Sequence, residues 1–278
     1  MKNLLLLCIC ILTAGKSFSQ YYYTDILAAE QTDRQYKLLR SNLVQTVTAK
    51  SYESDNQQTQ GFSIVQTISE DFKKIVTQTT YASGNSLTTS FYTGTKISKT
   101  QDSSAQVVTT TFYTYDNTGK IQSIKTETND AFMNSHSEEL HVWEYTADNK
   151  PARMLKIKDN NDTTFVQFKL DEQGNVGEES WRRKGRLMET YYYYYNDKHQ
   201  LTDIVRYNFK AKKLLPDNLF EYDAKSRVTQ MVQVPLGTSN YMTWKYTYND
   251  QGLKQSEVCY NKQKQLVGRI EYSYKMAK

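Results

Sequence analysis

Tyr115-Asp116-Asn117-Thr118-Gly119-Lys120-Ile121 decides the fold, because the chain writes this stretch again and again. YTADNKP begins at Tyr145, LDEQGNV at Leu170, YNDKHQL at Tyr195, YDAKSRV at Tyr222 and YNDQGLK at Tyr248, and a further start at Tyr272-Ser273-Tyr274 meets the C-terminus. Self-similarity at a near-constant period fixes architecture before any single residue does. The first turn residue is Asp116, Thr146, Asp171, Asn196, Asp223 or Asn249. Asp and Asn open type I turns because their side chains accept from the backbone two residues on. Three residues later stand Gly119, Asn149, Gly174, His199, Ser226 and Gly252. That slot asks for positive φ, which Gly supplies freely, Asn and His tolerate and Ser fits worst. A type I turn followed by a left-handed residue closes a bulged β-hairpin.

An aromatic pair two residues apart precedes most of these turns: Tyr113 and Tyr115, Trp143 and Tyr145, Tyr193 and Tyr195, Phe220 and Tyr222, Tyr246 and Tyr248. Residues i and i+2 of a strand share a face. The residues between them, among them Thr114, Glu144, Lys169 and Glu221, are mostly polar, so one face is apolar and the other wet. Looser turns at Lys184-Gly185, Ala211-Lys212, Pro235-Leu236-Gly237 and Asn261-Lys262 alternate with the strong ones, as a meander requires. Upstream, Phe62–Ile68, Ile75–Tyr81 and Leu87–Phe91 alternate with period near two and read as threonine-rich strands.

In these residues the chain resembles the YD-repeat family, the tyrosine–aspartate hairpin units of rearrangement-hotspot proteins and teneurins. Tyr115-Asp116…Gly119-Lys120-Ile121 and Tyr222-Asp223…Arg227-Val228 match its motif most closely, and the resemblance runs from about Tyr92 to Lys278. It implies a continuous strip of hairpins. In that family the strip winds into a shell around a toxic cargo. The repeats here are too few for a large shell, and no long variable cargo segment follows them, so the resemblance implies a small exported bacterial relative.

The expected fold is all-β: a long antiparallel meander of hairpins, curved into a half or full barrel so that the aromatic face is covered. A count of about fourteen strands at ~4.8 Å gives a ribbon ~65 Å wide. From Thr24 to Asn42 the reading is helical, with a capping box at Thr32 and Gln35 and a left-handed stop at Asn42, and this helix is placed to plug or cap the barrel. Residues 1–19, with Lys2, an apolar run from Leu4 to Leu12 and Ser17-Phe18-Ser19, read as a secretory signal too short to span a membrane. The expected organisation is therefore a signal over 1–19, a helix plus strand over 20–58 and a hairpin-repeat domain over 59–278. The protein is expected outside the cytoplasm, in the periplasm, on the outer surface or released, with no transmembrane segment after cleavage. Cys8 and Cys10 leave with the signal, and Cys259 then has no cysteine to pair with.

The formal charge is +5, and removal of Lys2 and Lys16 lowers it by two. The charges are interspersed, which implies neither nucleic acid nor an anionic membrane as partner. His136 and His141 lie near Glu138 and Glu139, but five residues apart on a strand they point to opposite faces, so no metal site is expected. Glu138-Glu139 and Glu178-Glu179 diverge for the same reason and do not form a facing catalytic couple. No catalytic residue and no cofactor is assigned. Tyr192 and Tyr194 are the candidate ligand-binding residues: Tyr191, Tyr193 and Tyr195 join the inward column, leaving these two rings outside to stack on a sugar or anchor a partner, or simply to cover neighbouring strands. The function expected is a non-enzymatic structural or binding module for an envelope protein or glycan. The alternatives are a carrier holding a lipid or other apolar ligand in the curved sheet, and a hydrolase.

Overall fold

In the computed structural model of the protein the described residues are 20–208, 212–235 and 240–277. The signal over 1–19, with Cys8 and Cys10, lies outside them, as do parts of the turns at Ala211-Lys212 and Pro235-Leu236-Gly237.

Eighteen antiparallel strands follow one another in chain order. They are β1 (Val44–Glu53), β2 (Ser63–Ile68), β3 (Lys74–Tyr81), β4 (Gly84–Thr93), β5 (Lys96–Ser104) and β6 (Val107–Tyr115). Next come β7 (Ile121–Asp130), β8 (Ser135–Tyr145), β9 (Pro151–Lys158), β10 (Asp162–Leu170), β11 (Val176–Arg183) and β12 (Arg186–Tyr195). The last are β13 (Leu201–Asn208), β14 (Lys213–Tyr222), β15 (Val228–Gln233), β16 (Met242–Tyr248), β17 (Lys254–Asn261) and β18 (Leu266–Met276). Each strand pairs with the next, and β1 pairs with both β2 and β18. The strip is thus a closed barrel with no free sheet edge. The count exceeds the fourteen expected because the Thr- and Ser-rich segments before Tyr115 carry hairpins without the turn motif.

The six repeated turns have the expected geometry. Gly119, Gly174 and Gly252 sit at φ near +80°, and Asn149, His199 and Ser226 take the same region at +57° to +63°. The Asp116 carboxylate accepts from the backbone N–H of Thr118 at 2.8 Å and of Lys120 at 2.9 Å. Asp171, Asn196 and Asp223 repeat this double acceptance, while Thr146 accepts from Lys150 alone. A register shift beside each turn marks the bulge. Because hairpins alternate ends, all six turns lie on one rim, the near rim. The opposite ends of the hairpins form the far rim.

The helix runs inside the barrel. A π-helical turn (Tyr22–Leu27) leads into α1 (Ala28–Ser41). A barrel of this many strands is too wide for its own side chains to fill, and the helix takes up the near half. Tyr21 and Ala29 join Trp143, Met154, Phe168, Tyr193, Phe220 and Trp244 in one core, and Tyr36 and Leu39 join Ile68, Ile75, Tyr92 and Ile97 in a second. Tyr36 stacks on Tyr92 with centroids 3.8 Å apart. No capping box forms at Thr32 and Gln35: the helix continues through this point, and the Thr32 hydroxyl donates back to the Ala28 carbonyl. The left-handed residue at the stop is Leu43, at φ +53°, while the Asn42 side chain donates to the Leu38 carbonyl.

The inward face is not apolar throughout. Its far half carries Thr77, Thr88, Thr109, Thr111, Thr126 and Thr128, with Thr109 and Thr128 bonded across strands at 3.2 Å and Thr111 and Thr126 at 3.1 Å. Among the described residues no helix covers these positions, and hydroxyls satisfy one another there while remaining compatible with strands.

Candidate functional site

Where the apolar near half meets the polar far half, the helix start is held by buried carboxylates. Glu179, on the inward face of β11 and fully buried, accepts the first free backbone donors of the helix, Tyr21 N at 2.8 Å and Tyr22 N at 3.0 Å. It also accepts from Trp181 Nε1 at 2.6 Å and the Tyr193 hydroxyl at 2.5 Å. The arrangement caps the helix with a side chain from the barrel wall, satisfying donors that have no partner within the helix. Burial raises the Glu179 carboxyl above its ordinary range against the pull of these four donors.

One turn on, Asp25 accepts from His141 Nδ1 at 2.7 Å and Trp143 Nε1 at 3.0 Å. His141 Nε2 meets Glu139 at 3.0 Å, whose other oxygen meets Lys156 Nζ at 2.8 Å. Burial draws the imidazole down, but the two carboxylates outweigh it and push His141 up to about 9. Burial likewise pushes Glu139 up, and its bonds from His141 and Lys156 overcome that and hold it at about 2. At neutral pH His141 is therefore a charged tie between helix and wall, with no lone pair to offer as a base. A third group gathers at Gln20, whose side chain donates to Asp217 at 3.2 Å; Asp217 also accepts from Arg206 at 3.0 Å. Further along, Asp33 accepts from Ile97 N at 2.9 Å and faces Lys96 at 3.2 Å. Four carboxylates, each from the helix or aimed at it, thus lock the helix to the barrel.

His136 and His141 do point apart. His141 is inside, and His136 is exposed and bonded to Asn129. Glu138 and Glu178 likewise face outward to Lys125 and Lys169, opposite in sense to their neighbours Glu139 and Glu179. Cys259 is buried in the aromatic core. Tyr191, Tyr193 and Tyr195 face inward, and Tyr192 and Tyr194 face outward, opposite Val205 and Asp203 of β13. Tyr194 is 48% exposed. Together with Asp171, Glu172 and Gln173 of the neighbouring turn, the two rings line a shallow depression on the outer wall. Sequence reasoning missed the inward carboxylates because their partners lie far away in the chain. One signal was visible: Glu139, Glu179 and Glu257 occupy positions that the alternation assigns to the apolar face.

The six-turn motif has a function that its aromatic character alone does not show. The tyrosine before five of the six turns donates its hydroxyl to a carbonyl at the start of the strand after the preceding turn, Tyr115 to Ile97, Tyr145 to Ile121, Tyr195 to Val176, Tyr222 to Leu201 and Tyr248 to Val228, and Tyr274 near the end of β18 does the same to Lys254, at 2.6 to 2.9 Å. Leu170 stands where a further rung would be. The ladder ties each hairpin to its predecessor around the near rim.

The outer wall carries charged pairs from β7 to β11. Glu144 with Arg153, Lys169 with Glu178 and Lys125 with Glu127 and Glu138 form cross-strand or same-strand pairs there. Among the described residues no helix is long and apolar enough to cross a membrane.

No known protein family and no curated protein matches the chain. Among solved structures, the Tc holotoxin pore of Photorhabdus luminescens aligns at 12% identity and TM-score 0.35, over 77% of this chain and 12% of that one. The chain therefore spans only about an eighth of the toxin's length. A porin-like protein from Bacteroides uniformis aligns at 10% identity and TM-score 0.39, over 84% of this chain and 98% of that one. One from Bacteroides vulgatus aligns at 11% identity and TM-score 0.21. At such scores the reading of this barrel rests on its own geometry.

Proposed function

We propose that the protein is an exported barrel of the cell envelope that works by surface contact, as a structural or binding module for a protein or glycan. The observation that carries this reading is the filled near half of the lumen. The aromatic lining that a carrier of apolar ligands needs packs on Tyr21, Tyr22, Tyr23, Ile26 and Leu27 of the chain itself. Charged pairs on the outer wall also weigh against a lipid-spanning band, in which outward Lys or Arg at mid-depth costs about 2–4 kcal/mol each. What faces outward is wall and rims, and Tyr192 and Tyr194 are the wall's candidate anchors.

The test has two arms. Native mass spectrometry of protein purified without detergent should give the bare chain mass, and a bound lipid would reverse the reading in favour of a carrier. Capture from envelope extract should retain a partner that Tyr192→Ser with Tyr194→Ser releases; unchanged capture would remove these two rings from the site.

A further inference from the structure

Charges that alternate along the chain are sorted in space. On the far rim, the β11–β12 hairpin presents Arg182, Lys184 and Arg186, and the β13–β14 hairpin presents Lys212 and Lys213, all exposed. None of these five pairs with a carboxylate among the described residues. The acids of the same arc are engaged elsewhere: Asp162 with Arg183, Asp159 with the Glu138 amide and Asp130 with the Met133 amide. The same tips expose large apolar side chains. Phe132 is 79% and Met133 67% exposed on the β7–β8 tip, and Leu187 and Met188 about half exposed beside Arg186.

Below these tips the outer wall carries a continuous row. Val142 pairs with Leu155, Leu155 with Phe165, Phe165 with Arg182 and Arg182 with Leu187, across five neighbouring strands. The next row toward the near rim is polar, running Glu144, Arg153, Gln167, Ser180 and Thr190. The apolar patch therefore stops halfway down the wall. At the near rim the charges are mixed: each repeated turn carries a carboxylate, and Lys120, Lys150, Lys198, Lys225 and Arg227 stand in the same turns.

We propose that this arc of the far rim, from β7 to β14, seats the barrel on an anionic lipid surface. The free cations engage lipid phosphates, and Phe132, Met133, Leu187 and Met188 enter the boundary between headgroups and acyl chains. A protein partner is favoured less, because the apolar side chains stand on separate hairpin tips and a convex wall, and the depression beside them is open and lined mostly by the cations Arg183, Lys184 and Arg186. Long basic stems interleaved with apolar tips suit an interface that is wet on one side and oily on the other. The inference rests on the contact-acting reading above and supplies its partner.

The test is co-sedimentation of the full protein with protein-free vesicles, either neutral phosphatidylcholine or the same lipid with about a third phosphatidylglycerol. Binding should appear only with the anionic vesicles and weaken as salt rises. Replacing Arg182, Lys184 and Arg186 with Gln should lower partitioning roughly a hundredfold, at about tenfold or less per cation. Phe132→Ser with Met133→Ser, at an exposed tip where folding is not at stake, should lower it roughly tenfold. Lys198→Gln with Lys225→Gln, two exposed cations of the near rim, should leave it unchanged. Equal binding to both vesicle types, or none to either, would overturn the proposal. If vesicles fail while envelope extract still captures the protein, the partner is a protein or glycan, and only the lipid inference falls.

Discussion

At the near rim six turns share one left-handed slot and one side-chain acceptor position, and five of them a rung of a tyrosine ladder; the far-rim tips are mixed, the one at Asn261 repeating the acceptor and the slot and the tip at Lys184-Gly185 lacking both the acceptor and the rung. The near-rim residues answer to backbone geometry: Gly119, Asn149 and His199 differ chemically and yet occupy the same dihedral region. The far-rim tips range from Lys184-Gly185 to the longer Ala131–Asn134, and the side chains that brace them differ from tip to tip, Asp130 on the Met133 amide, Asp159 on the Glu138 amide and Asn261 on its own turn. Repetition thus marks the end of the barrel that must be built alike each time. The irregular end is left to vary in charge and exposure, and the exposed apolar and basic residues are found there.

That contrast is sharpened first at the layer between the rims. Glu179→Gln replaces one of the two oxygen acceptors of a fully buried group that meets four donors with an N–H donor. Leaving buried donors without partners should cost about 3–5 kcal/mol. Denaturant unfolding measures it; a loss under 1 kcal/mol would mean that the helix is not held by this cap. The His141 tie should show in pH dependence. Its folded value of about 9 lies above the unfolded ~6.5. Its stabilisation is therefore fully present below pH 6.5 and lost as pH rises toward 9, by about 3 kcal/mol in all. His141→Gln should flatten the melting temperature across that window, and an unchanged slope would assign the dependence elsewhere.

Smaller effects separate the rims themselves. Tyr222→Phe deletes one rung and should cost about 1 kcal/mol, whereas a similar change at the far rim, Tyr81→Phe, should cost less. Ser226→Gly relieves the least suited side chain of the left-handed slot and should raise stability by about 0.5–1 kcal/mol. A loss on that substitution would mean that the Ser226 side chain contributes something the backbone account omits.

Much of this was legible in the sequence because it is local. The Asx acceptor and the left-handed slot lie within one turn, and the alternation that puts Tyr193 inside and Tyr194 outside is a property of two neighbouring residues. The β1–β18 seam was not legible, since Val44–Glu53 carries no turn motif or aromatic pair to announce its partner. The Asp25–His141 and Glu179–Tyr21 contacts bridge more than a hundred residues, and only folding brings them together. The capping box at Thr32 failed because a helix enclosed by a barrel wall takes its limits from what surrounds it, overriding local start signals. The polar half of the lumen was hidden in threonine, a residue equally at home facing water or a neighbouring hydroxyl.

The central claim is that the hairpin strip closes upon itself around its own helix, and the seam tests it most directly. Thr48 and Ser273 are directly opposed across β1 and β18, within reach of a disulfide. In a Cys259→Ser background, Thr48→Cys with Ser273→Cys should give, on mild oxidation, a monomer with an internal bond joining residues 48 and 273. Free thiols in the monomer, or bonds only between molecules, would contradict a closed barrel.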